Sequence, residues 1–578
     1  MLTTVATYWG NRLPRPEGGA CVVVEALHQD IRVIMRNLVV ANAIRCVVPS
    51  HLVVVTGTDE QWSETLWQDF DVEHVRSLAG AFGASDVLNV HELAGSCGPS
   101  DVLTVHGLAG AAGVPGVFGA LGPAGGHAGG AARLRPAGSG DAPARRPVPP
   151  IDPGLLRRFV DATMCRLNLV PRLPPAAAAD PAYLARHARG AAFSAFYDAL
   201  FDAVTPVAFV TSHVDYDQWG LAVESAMRRD VPVVHVQSTG SLKAYTLFPE
   251  KRTGQVSYRA ELTRQIGDYF ERAVWPNRDI LRASAELVTW RAKGNLGRPS
   301  WWRAGAFAAA ELRNEVERDQ LRAHALRRLG FGPDRPVVTV FNHAVSDALG
   351  TNVEVFDDLA RWFEETAEYA AADTAANWVF LDHPSQFRYD STGFFEQVAE
   401  RYAGHSHMVF RPSVAISKNM LWSLTDLGVT VRGSVSNELP AFGIPVIQAG
   451  WSEWSSCGLS FVAEDRPSYW RLLETSVEKA AKGQPILGEE QRERARLWLW
   501  FYRCATDVTS PLVPAWDTGA GNELLRTLFI NMSHVESDGD PLFSSVVRMW
   551  ERRDPFLTRF DLLSPDALAS ATFPLRSS

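Results

Sequence analysis

Apolar residues along this chain keep changing rhythm. Residues 21–25 are a short apolar run. Behind Asp30, a candidate N-cap, Ile31, Ile34, Met35, Leu38 and Ala41 then recur at helical spacing, and residues 51–56 form a second apolar run closed by Gly57. Strand, helix and strand in so short a span predict one βαβ unit, with parallel strands and a right-handed crossover. Helical patterns cover 153–166 and 181–204, and the alternation returns as a strand at 207–211, a helix at 220–229 and a strand at 231–236. It is clearest in the second half, with strands predicted at 336–343, 377–384, 407–412, 427–434 and 445–450. Helices are predicted between them at 354–371, 393–404 and 415–424, with a further helix starting at 436.

These elements predict an α/β protein of two facing Rossmann-like domains with a helical bridge and a helical C-terminus. The boundaries read as 1–290 for the first domain, 291–330 for the bridge, 331–485 for the second domain and 486–578 for the helical end. Ligands of open α/β sheets sit beyond the carboxyl ends of the strands. That selects residues 212–215, 237–240, 343–347, 383–385 and 433–438 as the lining of a cleft expected between the halves.

One stretch breaks the rhythm. SDVLNVHELAG at 85–95 recurs as SDVLTVHGLAG at 100–110, and two copies fall short of a solenoid. Copying accounts for the matched His91 and His106 better than a metal site does. A Gly-, Ala-, Pro- and Arg-rich tract follows, basic through Arg133, Arg135, Arg145 and Arg146. It cannot bury enough apolar surface to order itself, so about 96–150 reads as a flexible insertion in the first domain.

Composition narrows the function. A length of 578 residues favours two domains, and 46% apolar with 21% charged residues is a globular balance. The net charge of −9 argues against nucleic acid as a partner. Six scattered cysteines form no CxxC pair, so neither zinc nor a disulfide framework is supported. The N-terminus does not read as a signal peptide, and no apolar run is long enough to span a bilayer. The expected location is therefore the cytoplasm, with Trp301, Trp302 and Arg303 as one place where the chain would touch a membrane surface or sugars. Core packing is the more common use of such tryptophans.

Candidate chemistry gathers after the strands. Gly433 permits a tight strand-to-helix turn, Ser434 or Ser436 offers a hydroxyl, and the helix start would welcome a phosphate. Glu438 is placed to accept two hydrogen bonds from a ribose diol, against the plainer alternative that Ser436 and Glu438 only cap the helix. His383, held by Pro384, is a donor to a phosphate oxygen or a general acid. His343 and Asp347 line the same strand ends. In the first half His213 and Asp215 are a base for an incoming hydroxyl or hydrogen-bond a sugar. P-loop, GxGxxG, HExxH and hydrolase-elbow patterns are absent. Asp217 and the Asp357–Asp358 pair are the weak metal candidates, and no metal is expected.

NWVFLDHPSQ followed by VTVRGSVSNELPAFGIPVIQAG resembles the C-terminal domain of bacterial capsule and surface polysaccharide biosynthesis proteins, which are glycosyltransferases of the GT-B type. His383 and Pro384 match the family's His-Pro element. Ser434 and Glu438 match its turn and helix, Gly443, Pro445 and Val446 its exit, and His343 and Asp347 its opening segment. The likeness spans about 20–80 and 205–470, and the insertion departs from it. It implies a nucleotide-sugar donor whose phosphates meet His383, Ser434 and Ser436 and whose ribose meets Glu438. His383 would assist the leaving group, and a polysaccharide or glycolipid acceptor would bind near His213 and Asp215. It further implies no metal or other cofactor, and peripheral association with the inner membrane face or capsule assembly proteins. On the same fold, a nucleotide-sugar epimerase, a polyol-phosphate transferase and a non-catalytic assembly scaffold are the alternatives.

Overall fold

The computed structural model describes residues 2–57 save 17 and 29, then 59, 61–62, 71–91, 148–254 save 238–240, 257–292, 315–347, 355–513, 526–527, 530–532 and 539–571. The second repeat copy with His106, the basic tract, nearly all of the expected 96–150 insertion and the Trp301–Trp302–Arg303 cluster lie outside the described residues. The chain divides into two units, each discontinuous. Unit 1 comprises Met1–Val160, Ala176–Gly254 and Val508–Arg559, and unit 2 comprises Asp161–Pro175, Gln255–Asp507 and Phe560–Ser578. The division differs from the expected one: the break falls near 254 rather than 290, and the helical C-terminus is shared out between the two units.

Unit 1 carries strands β1 (Ala20–Ala26), β2 (His51–Thr56), β3 (Asp86–Asn89), β4 (Thr205–Thr211), β5 (Val233–Gln237) and β6 (Lys243–Leu247). They form one sheet in the order β3-β2-β1-β4-β5-β6. All neighbours are parallel except β5 and β6. β1 is buried along almost its whole length, which is why it reads as a continuous valine run and not as an alternation. The helix Ile31–Val47 starts where expected, with the Asp30 carboxylate accepting from the Arg32 amide. The antiparallel β6 was not foreseen. It is an edge strand, and the distant segments around Val508 and Phe556 bridge to Leu242 and Tyr245 beside it. Leu542, Val546, Met549 and Trp550 of the helix Pro541–Arg552 complete the same core as Val22, Val24 and Leu38.

Unit 2 carries β7 (Val337–Phe341), β8 (Asn377–Leu381), β9 (Met408–Arg411), β10 (Leu427–Thr430), β11 (Val446–Gln448) and β12 (Phe461–Val462). They lie in the order β12-β11-β10-β7-β8-β9, every pair parallel. The helix expected from 354 begins only at Leu359, where the Asp358 side chain caps it. Gly443 ends the short helical segment after β10 in the left-handed conformation, φ +85°, as its place before Ile-Pro predicts.

Both units are thus doubly wound α/β sheets. In unit 1 the strand order reverses between β1 and β4, and in unit 2 between β7 and β10. At such a reversal the loops leaving adjacent strands diverge and open a crevice at the carboxyl ends.

Buried charge fixes part of unit 1. Arg186, in the helix Pro181–Ala203, donates from Nη2 to Asp217 at 2.6 Å and from Nη1 to Asp59 at 2.7 Å, and is 2% exposed. Asp217, a metal candidate from sequence, is instead the fully buried partner of this guanidinium. Arg186→Leu leaves two buried carboxylates short of a counter-charge and is expected to cost about 3–5 kcal/mol, read as a lowered urea midpoint.

Candidate functional site

Three neighbouring strands of unit 2 deliver the sequence candidates to one edge of the sheet. His343 and Asp347 follow β7, His383 and Pro384 follow β8, and Gly433 to Glu438 follow β10. The rings of His343 and His383 stack with centroids 5.9 Å apart and an interplanar angle of 25°. The Ser385 amide donates to His383 Nδ1 at 3.2 Å, so the neutral ring carries its proton on Nε2 and can donate from there. His343 Nδ1 lies 3.4 Å from the Ala344 carbonyl, which selects the opposite tautomer and leaves Nε2 as an acceptor. Enclosure by protein and the Arg432 guanidinium lower the His343 pKa to about 3 against the opposing pull of Asp347. Burial also lowers that of His383, again opposed by Asp347 and then Asp382. His383 is therefore a neutral ring in this state that presents its Nε2–H as a hydrogen-bond donor.

The turn after β10 differs from its expected use. The Gly433 amide donates to Thr430 Oγ1 at 3.3 Å. The amides of Ser436, Asn437 and Glu438 bond the carbonyls of Gly433, Ser434 and Ser434. Among the described residues the amides of Ser434 and Val435 have no partner. Ser434 is exposed and its side chain makes no capping bond. Ser436 is corrected: its buried hydroxyl donates to the Gly433 carbonyl at 2.8 Å and accepts from Trp454 Nε1 at 3.0 Å, so it holds the turn and does not meet a phosphate. Glu438 is corrected too. It is 3% exposed, with Oε2 2.8 Å from Lys418 Nζ and Oε1 2.8 Å from Arg503 Nη2, so both oxygens are committed to cations and not to a ribose. Lys418 and Arg503 thus both reach this one buried carboxylate, close behind the turn.

Sequence reasoning gave no individual role to three residues here. Arg432 Nη2 donates to the Asp347 carbonyl at 3.3 Å and places a guanidinium across the β7/β10 reversal. Its place one residue before the Gly433 turn was the available signal. Asn342 Nδ2 and both polar atoms of the Asn437 amide are buried with no partner among the described residues. Asn342 and Asn437 gave no signal, because asparagine in such places reads as a turn or cap residue.

In unit 1 the reversal is bound together by Glu25, fully buried near the end of β1. Its Oε2 accepts from the Ser212 amide at 2.9 Å and from Ser212 Oγ at 2.7 Å, just beyond β4. His28 follows β1, and burial lowers its pKa to about 4, partly offset by Glu25. His213 and Asp215 follow β4, with Nδ1 and Oδ2 3.8 Å apart, beyond hydrogen-bond reach. His91, beyond β3, is likewise lowered to about 4 by burial, against Asp59. A Cβ on Gly57 would sit 2.3 Å from the His91 ring, so glycine is required at that strand end. Asp357 pairs with Arg361, and Asp358 with Arg172. Among the described residues no group of three or more His, Cys, Asp or Glu side chains is arranged to hold a metal ion. Among them, too, no helix is long and apolar enough to cross a membrane.

No family model matches the chain, and a search of curated proteins returns no match. Among solved structures it is similar to the UDP-GlcNAc 2-epimerase of Neisseria meningitidis bound to UDP-GlcNAc, at 10% identity and a TM-score of 0.21, over 82% of this chain and 97% of that one. The UDP-GlcNAc 2-epimerase of Methanocaldococcus jannaschii matches at 11% identity and a TM-score of 0.21, over 84% and 99%. The wall teichoic acid polymerase TagF matches at 9% identity and a TM-score of 0.20, over 55% and 70%.

Two predictions follow from this geometry. Glu438→Gln removes the counter-charge shared by Lys418 and Arg503 and is expected to destabilise by about 3–5 kcal/mol in urea unfolding. A ribose-binding role would instead lower donor affinity with stability unchanged. His28, His91 and His343 are held neutral in the fold, with pKa values of about 4, 4 and 3. The unfolded chain takes up their protons from about pH 6.5 downward, so stability is fully present above that pH and is lost as it falls toward 4 and 3. Urea midpoints measured from pH 7 to pH 4 should fall, and His343→Gln should make the fall shallower.

Proposed function

We propose that the chain is a glycosyltransferase that moves a sugar from a nucleotide-sugar donor to a surface polysaccharide or glycolipid acceptor. The observation that carries this reading is the gathering of the His343–His383 pair, the Arg432 guanidinium and the open amides of Ser434 and Val435 at the strand reversal of unit 2. All but His343 offer hydrogen-bond donors suited to a phosphate. The sequence resemblance to capsule and surface polysaccharide enzymes supports the choice of a sugar ester among the anions that would fit.

In this reading the donor's phosphates lie against Arg432 and the Ser434–Val435 amides. The bond between the anomeric carbon and the phosphate oxygen breaks, and its electron pair stays on that oxygen. His383 Nε2–H and Arg432 meet the growing negative charge, the usual way such leaving groups are stabilised. The acceptor hydroxyl oxygen bonds the anomeric carbon and gives its proton to a general base, the role read from the sequence for His213 or Asp215. An anion beside His343 and His383 would raise both pKa values from their depressed state.

A thermal-shift screen of UDP-, CDP-, CMP- and GDP-linked sugars is expected to find at least one ligand that raises the melting temperature with the logarithm of its concentration. With that donor, His383→Ala is expected to lower turnover about 10²–10³-fold, the range for loss of one donor to a developing oxyanion. Arg432→Ala should weaken donor binding. Near-normal turnover in His383→Ala removes that side chain from the mechanism. Interconversion of the sugar with no acceptor present identifies an epimerase instead.

A further inference from the structure

Unit 2 holds a cavity that shares no residue with the site drawn for the sugar ester. It lies between the helix Glu315–Leu329, the helix Lys418–Leu424 and the chain around the end of β9. Its volume is about 120 Å³. Leu329 enters from the first helix, Met420 and Leu424 from the second, and Ile416 from the segment after β9. Ile416 and Leu424 are buried in the same core as Val337 and Leu381, with Leu329 and Met420 packed against it. The floor of the cavity is thus the core of the unit itself. Close-packed interiors seldom leave a hole larger than a water molecule. Two arginines, Arg328 and Arg411, line the same cavity, and both are exposed. Arg411 Nη1 donates to the Phe410 carbonyl at 2.9 Å, and neither guanidinium has a carboxylate partner among the described residues. The carboxylates on the adjoining segments serve elsewhere. Asp426, two residues beyond Leu424, is held by Arg322 and the Val337 amide. Asp382, one residue beyond the β8 partner of Arg411, accepts from the Ser413 amide.

The chemistry narrows the ligand. Guanidinium groups only donate and stay charged, so the ligand must carry an anionic acceptor, and a carboxylate or a phosphate matches their fork. The aliphatic lining calls for an apolar body on the same molecule. A cavity of about 150 Å³ with such a lining takes one benzene ring, so this one takes roughly four to six carbons. A sugar has no such body, and the acyl chain of a bilayer lipid is far too long. We propose that this cavity binds a short-chain alkyl acid, a free carboxylate or phosphate monoester. Its chain lies against Leu329, Ile416, Met420 and Leu424, and its anionic head meets Arg328 and Arg411. The inference does not rest on the glycosyltransferase reading.

The test uses the full chain with isotope-labelled methionine methyl groups, the Met420 signal being assigned by its loss in M420L. Hexanoate and hexyl phosphate are the probes. Hexanol and hexylammonium keep the chain and change the head, while acetate and inorganic phosphate keep the head alone. At least one probe is expected to shift the Met420 methyl saturably in the millimolar range, and all four comparators to bind about fivefold more weakly or worse. R328Q and R411Q, at exposed positions, are each expected to weaken the probe about threefold or more. A415F, at an exposed lining position, is expected to block it. Nucleotide-sugar thermal shifts should be unchanged in all three variants. Should A415F fail to fold, the two arginine variants and the unmodified protein carry the test. The proposal is overturned if neither probe moves the Met420 methyl or if hexanol binds as tightly as the acids. It is also overturned if acetate or inorganic phosphate binds as tightly, if both arginine variants bind unchanged, or if phosphatidylglycerol vesicles displace the probe. Loss of all nucleotide-sugar binding would strike the functional reading and leave these arms to stand on their own result.

Discussion

Parallel strands cannot be joined by short turns, and this constraint organises everything else in the molecule. Every strand paired in parallel with the next must leave the sheet, cross over and return to the same end, so the carboxyl ends collect the loops. Where the winding reverses, between β1 and β4 and again between β7 and β10, two loops part and backbone polar groups are left facing outward. Each reversal is bridged by a polar side chain. Glu25 closes the floor of one by gripping Ser212 across it, and Arg432 reaches Asp347 across the other.

The two reversals differ in electrical character. In unit 2 one carboxylate is shared by two cations, a guanidinium spans the crevice and the histidines are kept neutral. That is a place where negative charge is welcome and protons are not held in advance. In unit 1 the buried Arg186 guanidinium is shared by Asp59 and Asp217. The two units thus carry opposite arrangements of buried charge on one architecture, a carboxylate between two cations in one and a guanidinium between two carboxylates in the other.

The winding was legible from sequence because buried parallel strands are written as unbroken apolar runs, such as Val22 to Val24 and Val337 to Val340. The strand ends were legible by rule, and with them His343, His383, His213 and the Gly433 turn. What was hidden depended on partners far away in the chain. Nothing beside Glu438 announces Lys418, twenty residues earlier, or Arg503, sixty-five later. Read alone, Glu438 was a free carboxylate at a helix start. The same holds for Ser436, whose hydroxyl is occupied by Trp454. β6 escaped notice because Lys243 to Leu247 mixes polar and apolar residues, as an edge strand can.

The return of Val508–Arg559 to unit 1 also bears on how the protein is made. The sheet of unit 1 is fully translated by Leu247, yet the helix that covers part of its core, Pro541–Arg552, comes almost three hundred residues later. At ordinary rates of about 5–20 residues per second, roughly 15–60 s pass between the two events. For that interval the nascent chain shows an uncovered apolar face on the ribosome. The main segment of unit 2, Gln255–Asp507, is encoded inside the gap, so its sheet is translated before the core of unit 1 is covered.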